Sequence, residues 1–500
     1  MYGVFKSRFG ISVVVLILLL TIPSTAADTF VEVKSKNFLI VGNASAKQVR
    51  NVAESLELFR WGFLRFFKIP TTSSAGTTVV VFRTEDDFRP FKPTYEGKPA
   101  NIAGYFQGGR DTNFIALTAD RQTPRVVYHE LVHTLMADNF SGLPLWFQEG
   151  FAESFATLEV DAAKIRIGRA IGEHVELLNQ KRFMPLEKLF LVTRGSAEYN
   201  EAEKQGLFYA QSWALVHYLM LGDGGRHRPQ LNLLLAGLRS GKAASEVFED
   251  VFQTDLLTFQ KTLEAYVQQR VLWQLLEIAS EPQESGLETS NRVLSRAEWE
   301  FYLGDLLLHS DRLSEAESRL KQSMKLGPHL AGPQAAMGRL RMRQKNESEA
   351  ISYFQRAKEL DPGNHLPHYY HAAVLRARTT PLSDSDWHTL RSELMTTIEL
   401  APRFIEATEM LANVNLTHNV DIPQTIEILK RGLLVSNDDD NLSALLAYAL
   451  SRTTRREMSH PTAVLAPEDS TALATKHPVR NIFDILDQMA AAQVLDGSSR

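Results

Sequence analysis

The sequence contains no cysteine, and this absence already restricts its chemistry. Without thiols the chain forms no disulfide, holds no iron–sulfur cluster and offers no thiolate nucleophile. A metal ion would therefore have to be bound by histidine, aspartate or glutamate side chains.

A large excess of charge of either sign is also missing. The 500 residues carry 54 lysines and arginines against 59 aspartates and glutamates, which gives a formal net charge of −5. This balance predicts no nucleic-acid partner, because binding to a phosphate backbone relies on a strongly positive surface. The length indicates about three domains, and a composition of 44% hydrophobic and 23% charged residues is typical of a folded globular chain.

The apolar run at the N-terminus is short. Lys6 and Arg8 precede an apolar stretch of about 12 residues from Ile11 to Ile22, and small residues follow it. Because a bilayer-spanning helix needs about 20 apolar residues, we interpret residues 1–26 as a cleaved signal peptide. The mature protein is then expected to be exported, either periplasmic or secreted, without a stable membrane span. An uncleaved segment that anchors the chain is the alternative.

Residues 27–279 follow an α+β pattern. Short β-rich stretches and one helical periodicity precede a predicted hairpin, whose second arm is Asn113–Leu117 and which leads into a helix beginning near Pro124. From Ala202 onward the pattern becomes mainly helical. A polar segment, residues 280–292, is predicted to be a linker.

A repeat with a period of 34 residues occupies residues 293–450. The pattern resembles the tetratricopeptide repeat, in which a small residue lets two helices touch, an apolar residue fills the next gap and a proline ends the second helix. Residues 451–500 are predicted to be a mostly disordered tail with a short helix near Asn481–Val494. The repeated positions are Gly304, Ala316, Leu320 and Pro328, which recur as Gly338, Ala350, Phe354 and Pro362.

The helix that begins near Pro124 contains the pattern His-Glu-x-x-His at positions 129–133. Residues i and i+4 share a helix face, so His129 and His133 can bind one metal ion while Glu130 points at a metal-bound water. This arrangement is typical of zinc hydrolases and predicts Zn2+ as the cofactor.

A catalytic zinc ion needs a third protein ligand. The metzincin pattern would require glycine and histidine where this chain has Met136 and Asn139, so that class is excluded. Asp138 is near but on another face of the helix. The remaining candidates are Glu149 and Glu153, one turn apart on a helix that begins at Pro144.

The two motifs together resemble the gluzincin metallopeptidases. Trp146-Phe-Gln-Glu149-Gly-Phe-Ala-Glu153 is similar to the corresponding block of zinc aminopeptidases, and the pair of motifs is closest to bacterial peptidase-MA-like proteins, a group of domains of unknown function. The resemblance implies Glu149 as the third zinc ligand and Glu130 as the general base. It also implies a zincin-like α+β domain with a helical C-terminal lobe. Fewer residues separate His133 from Glu149 than in the zinc aminopeptidases, so their specificity elements are not carried over.

Three further features are predicted to support catalysis. Glu153 is expected to accept a hydrogen bond from a zinc-bound imidazole, although a solvent-facing carboxylate is the alternative. Tyr209 is the candidate donor to a developing oxyanion, with Tyr218 and His217 as weaker rivals. The strand Asn113–Leu117 could pair with an extended substrate peptide.

The leading hypothesis is an exported zinc metallopeptidase that cleaves peptides or proteins, followed by an all-α tetratricopeptide-type solenoid that binds a protein partner or substrate. On this hypothesis, deleting the repeats from about Glu281 leaves cleavage of small peptides intact. The alternatives are a catalytically inactive secreted repeat scaffold and a zinc hydrolase of non-peptide amides or esters.

Overall fold

The computed structural model describes residues 29–67, 76–95, 98–100, 102–109, 111–119, 125–136, 143–161, 164–200, 202–269, 278–279, 290–378, 381–436 and 440–458. The predicted signal peptide, most of the predicted linker and the predicted terminal helix lie outside these residues. Within them, no helix is both long enough and apolar enough to cross a bilayer.

Six strands form one small mixed sheet in the order β11-β1-β2-β3-β7-β6. Strands β2, β3 and β7 are parallel to one another, whereas β11, β1 and β6 pair antiparallel with their neighbours. Two smaller sheets pair β8–β9–β10 and β4–β5. The strands are β1 (Phe30–Lys34), β2 (Phe38–Gly42), β3 (Gly76–Phe82), β4 (Thr94–Tyr95), β5 (Lys98–Pro99), β6 (Gly104–Gln107), β7 (Thr112–Thr118), β8 (Glu159–Asp161), β9 (Lys164–Arg166), β10 (Ile278–Ala279) and β11 (Ser290–Leu294).

Most of the remaining described elements are helices, so the protein is mostly helical. Two short 3-10 helices cover Arg89–Phe91 and Gly222–Gly225. The α-helices are α1 (Ala46–Phe67), α2 (Glu85–Phe88), α3 (Arg125–Leu135), α4 (Leu145–Phe155), α5 (Gly172–Gln180), α6 (Leu186–Phe190), α7 (Ala197–Asn200), α8 (Ala202–Leu221), α9 (Arg228–Arg239), α10 (Ala244–Phe252), α11 (Leu256–Gln268), α12 (Arg296–His309), α13 (Leu313–Leu326), α14 (Ala331–Arg343), α15 (Glu347–Leu360), α16 (His365–Arg376), α17 (Asp384–Leu400), α18 (Ile405–His418), α19 (Ile422–Ser436) and α20 (Asp440–Met458).

The central strands are apolar on both faces because both faces of the sheet are buried. Val79 and Val81 of β3 pack with α1, α3, α4 and α8 in one core, and we call this side the first face. Val80 and Phe82 point the opposite way, into a second core on the second face. The period of two along a strand therefore divides one apolar run between two separate cores.

The C-terminal region is a solenoid-like array of helix pairs, as the 34-residue period predicts. A Cβ atom on Gly304 would lie 2.9 Å from the Leu320 side chain, and one on Gly338 would lie 2.5 Å from Phe354. Each glycine thus lets the two helices of a pair approach closely. The first helices also pack on one another, α12 on α14 and α14 on α16, so they line the inner side of the array.

The first helix pairs cover the second face of the sheet instead of forming a separate body. Trp299 of α12 stacks on Phe30 of β1 with ring centroids 5.3 Å apart, and β11 pairs along the whole of β1. Arg292 of β11 donates two hydrogen bonds to the Glu32 carboxylate, at 2.8 and 2.7 Å. Sheet and repeats therefore share one core.

Two boundaries differ from the sequence interpretation. Residues 290–292, placed in the linker, belong to β11, and residues 451–458, placed in the tail, extend α20. Strand β11 lies at the sheet edge, and its first four residues are exposed, so its polar sequence is not distinguishable from a linker.

The strand Asn113–Leu117, expected to pair with a substrate peptide, is not at an edge. It lies within β7, which is hydrogen-bonded to β3 on one side and to β6 on the other. The predicted hairpin of β6 and β7 is present, but β6 is the terminal strand of the sheet. A local pattern shows that a strand exists and leaves the order of strands open.

Candidate metal centre

Helices α3 and α4 carry the predicted ligands and pack directly against each other. His129 and His133 share one face of α3, and α4 brings Glu149 to the same point. The packing of α4 against α8 explains why a glycine, Gly150, follows Glu149. A Cβ atom there would lie 2.2 Å from the carbonyl oxygen of Ser212, so only glycine lets α4 pack this closely on α8.

Three potential ligand atoms form a nearly equilateral triangle. The Nε2 atoms of His129 and His133 are 3.1 Å apart, and each lies 3.2 Å from Oε2 of Glu149. With zinc–ligand bonds of about 2.0–2.1 Å, two ligands of a tetrahedral zinc ion lie about 3.3 Å apart. The donor atoms and their spacing therefore fit one face of a tetrahedral site, and we call these three residues the metal-ligand cluster.

The same residues perturb one another electrostatically. Burial opposes protonation of His129, but the neighbouring carboxylates of Glu149 and Glu153 outweigh it and raise the pKa of His129 to about 10. Burial likewise opposes ionisation of Glu149, yet hydrogen bonds with His129 and His133 lower its pKa to about 2. Before a metal binds, a proton on the imidazoles balances the carboxylate, so a metal ion must displace that proton.

Glu153 lies behind His129 and is buried rather than solvent-facing. Its Oε1 is 3.4 Å from Nδ1 of His129, and its Oε2 is 3.2 Å from Nε2 of His174 and pairs with Arg125. Burial would raise the pKa of Glu153, but these partners lower it well below its ordinary value. An ionised Glu153 is thus placed to fix the orientation of the His129 ring.

Tyr209 of α8 lies beside the metal-ligand cluster, with its ring centroid 6.0 Å from that of His129. Burial, followed by the negative charge of Glu149, raises the pKa of Tyr209 above its ordinary value. Its hydroxyl therefore remains protonated and can act as a hydrogen-bond donor. Glu130 is partly exposed, and its charge also raises the pKa of Tyr209.

Sequence reasoning missed Tyr199. Its hydroxyl donates a hydrogen bond to Oε1 of Glu149, at 3.4 Å, and its ring is stacked on that of Tyr209. This contact holds the carboxylate oxygen that is not in the ligand triangle. Tyr199 belongs to a four-residue helix, which is too short to show a periodicity that would have singled it out.

The two rivals of Tyr209 do not point at the cluster. His217 is fully buried, 2.7 Å from the Tyr266 hydroxyl and 3.0 Å from the carbonyl of Gly168. Burial lowers the pKa of His217 to about 4, so it is a neutral core histidine. The Tyr218 hydroxyl lies 3.1 Å from Nε2 of His227.

Comparisons with known proteins add little. No protein-family model matches the chain, and no curated protein matches it. One similar solved structure, the APC/C hetero-tetramer Cut9–Hcn1, has 15% sequence identity and a TM-score of 0.27 over 56% of this chain and 49% of that chain. This chain therefore spans about half the length of that one, and the similarity supports no functional assignment.

Proposed function

We propose that the protein is an exported zinc-dependent metallopeptidase of the gluzincin type. The observation that carries the proposal is the ligand triangle of His129, His133 and Glu149, with donor atoms 3.1–3.2 Å apart. Glu130 lies on the same helix, one residue beyond the first ligand. The apolar N-terminal run supports export, which remains a proposal.

The chain supplies an acid–base group and a donor for peptide hydrolysis. Zinc, when held by His129, His133 and Glu149, supplies Lewis-acid chemistry that activates water and polarises a peptide carbonyl. Glu130 accepts the proton of the attacking water and delivers it to the departing amine. Tyr209 donates a hydrogen bond to the oxygen on which negative charge develops. Glu153 keeps the His129 ring in place throughout.

An extended peptide would bind along β6. This strand packs against α3, which carries both histidines, and it ends the sheet. Its outer edge can therefore form main-chain hydrogen bonds with a substrate strand. The correction from β7 to β6 keeps the predicted binding mode and moves it to a strand that, among the described residues, is paired on one side only.

We assign the helix pairs to the tetratricopeptide type, on the glycine contacts and the 34-residue spacing. The part of the inner side that lies beyond α16 would bind a protein partner.

The proposal is tested on the mature full chain, purified without chelators and without a histidine tag. We expect about one zinc ion per chain, lost in His133→Ala and retained in Glu130→Gln. Hydrolysis of a peptide library should disappear in both variants. Glu246→Gln, at an exposed carboxylate of α10 away from the metal-ligand cluster, is the matched control and should behave as wild type.

Two results would contradict the proposal. Folded wild-type protein without zinc would favour the inactive scaffold, and chelator-sensitive hydrolysis that survives Glu130→Gln would remove Glu130 as the base. Turnover of non-peptide amides or esters in preference to peptides would replace the peptidase assignment with the other hydrolase.

A further inference from the structure

A second buried cluster of charges lies where the β6–β7 turn meets the solenoid. Asp111, Asp305, His309 and Arg339 are each no more than 9% exposed, and we call them the interface cluster. His309 Nε2 lies 3.1 Å from Oδ1 of Asp111, and Arg339 donates to both aspartates, at 2.5 Å to Oδ2 of Asp111.

One carboxylate of the β6–β7 turn thereby contacts two successive repeats. Asp111 pairs with His309 of α12 and Arg339 of α14, and the Arg339 guanidinium lies over the ring of Tyr370 of α16, 5.7 Å from its centroid. These helices line the inner side of the array. That part of the solenoid therefore already holds a segment of its own chain.

The contacts reach along the hairpin into β6. A Cβ atom on Gly109 would lie 3.0 Å from the His309 ring, so the turn packs directly on this imidazole. Phe114 of β7 also contacts His309, with ring centroids 4.7 Å apart. In β6 itself, Tyr105 packs into the second-face core with the first repeats, whereas Phe106 points to the first face and packs with α3's core.

Strand β6 therefore lies between the helix with the metal ligands and the first repeat. Since β6 ends the sheet, only β7 pairs with it among the described residues. Edge strands held on one side open more readily than central strands. Besides this pairing, the contacts of Asp111 with the solenoid hold the turn that follows β6.

We propose that the interface cluster positions β6, so that the solenoid holds the strand along which a substrate peptide binds. Asp111, His309 and Arg339 are positioning residues, since they contact the turn and not the reacting atoms. The peptide-binding part of this inference rests on the proposed function. The mechanical part, that the solenoid holds β6, does not.

Amide hydrogen exchange of the full chain, compared between variants prepared in the same way, tests the mechanical part. Asp111→Asn should speed exchange across Gly104–Gln107 about tenfold or more, while exchange in α8 stays as in wild type. Asp111→Glu keeps the carboxylate and should restore protection. Asp311→Asn is the matched control, because Asp311 lies two residues beyond His309 in the first repeat and its side chain is 82% exposed. If Asp111→Asn does not fold, His309→Gln removes the opposite charge from the same contact.

Unchanged exchange in β6 in both variants would overturn the proposal, as would equally faster exchange throughout both cores. For peptides long enough to lie along β6, the expected kinetic result is a KM raised about tenfold with kcat retained. A fall in kcat at unchanged KM would contradict the positioning role. Failure of the proposed function is detected separately, because the wild-type protein would then contain no zinc or the Glu130→Gln variant would be active. In either case the exchange comparison still decides whether the solenoid holds β6.

Discussion

Two buried clusters of charged side chains lie on opposite faces of the same sheet, and they differ in where their positive charge comes from. In the interface cluster, Arg339 and His309 face Asp111 and Asp305, so two cations balance two anions. Burial opposes the charge on His309, but Asp305 and Asp111 outweigh it and raise the pKa of His309 to about 9. The charges of the interface cluster are therefore balanced by residues of the chain itself.

The metal-ligand cluster contains no arginine or lysine among its three members. Two imidazole nitrogens and one carboxylate oxygen converge on a common point, and their charge balance depends on a proton or a metal ion. Arg125 is nearby but pairs with Glu153, behind the ligands. A buried cluster with its own cation has its charges balanced within the fold, whereas one that needs an added cation can take up a metal ion.

The largest expected effect comes from removing the shared core. A chain ending at residue 289 lacks β11 and the repeats, which leaves Phe82, Phe88 and Phe114 of the second face exposed. We expect it to lose cooperative unfolding, contrary to the expectation that deletion from Glu281 spares activity. A chain ending at residue 400 keeps the cover and the interface cluster and should still unfold cooperatively by calorimetry. A stable, active fragment ending at residue 289 would show that the two regions are independent.

Breaking the interface cluster should lower the free energy of unfolding by less than removing the cluster together with the repeats that cover the second face. Arg339→Met leaves Asp111 and Asp305 buried without their shared cation, and we expect a loss of about 3–5 kcal/mol in the free energy of unfolding. Arg356→Met removes an exposed pair with Glu359 and should cost no more than about 1 kcal/mol. Urea denaturation measures both, and equal losses would contradict the distinction.

The protonation of His309 gives the interface cluster a pH dependence. Because folding raises the pKa of His309 from 6.5 to about 9, its contribution is complete below pH 6.5 and is lost as the pH rises through 9. We expect the zinc-loaded protein to lose up to about 3 kcal/mol of unfolding free energy across this range. His309→Gln should flatten the profile, whereas His329→Gln, at an exposed position, should not. A profile that keeps its slope in His309→Gln would assign the dependence to other groups.

The smallest effect concerns the support behind the metal ligands. Glu153→Gln keeps the shape but removes the charge that orients His129, so zinc affinity should fall about 10–100-fold. Asp305→Asn should lower stability and leave zinc affinity unchanged. Competition with a chromophoric chelator measures both variants. If Asp305→Asn weakened zinc binding as much, the two clusters would be coupled through the sheet.

Local patterns were sufficient for much of the candidate site. The spacing of His129 and His133 places both imidazoles on one helix face whatever the rest of the fold does. Resemblance to the gluzincins pointed to Glu149 next to a glycine, and the contact of Gly150 with Ser212 gives the physical reason for that glycine. The sequence likewise predicted the two glycines of the repeat, because the first two helix pairs make the same contact.

Other features required distant segments to meet. Tyr199 reaches Glu149 from a helix 50 residues away, and nothing near it in the sequence signals that contact. The polar strand β11 pairs with β1 across more than 250 residues. The order of strands, which moved the peptide-binding edge from β7 to β6, also depends on pairing that a single strand does not encode.

The sequence by itself determined the helix with two histidines and the period of the solenoid, because each depends on spacing within one or two neighbouring helices. For the third ligand it left Glu149 and Glu153 as candidates, and the resemblance to the gluzincins implied Glu149. Only the tertiary structure decided that the solenoid covers the second face of the sheet and holds Asp111. Asp111 lies 198 residues from His309 and 228 from Arg339. Charged residues so far apart in the sequence come into contact only when the chain folds, and no local periodicity predicts the contact.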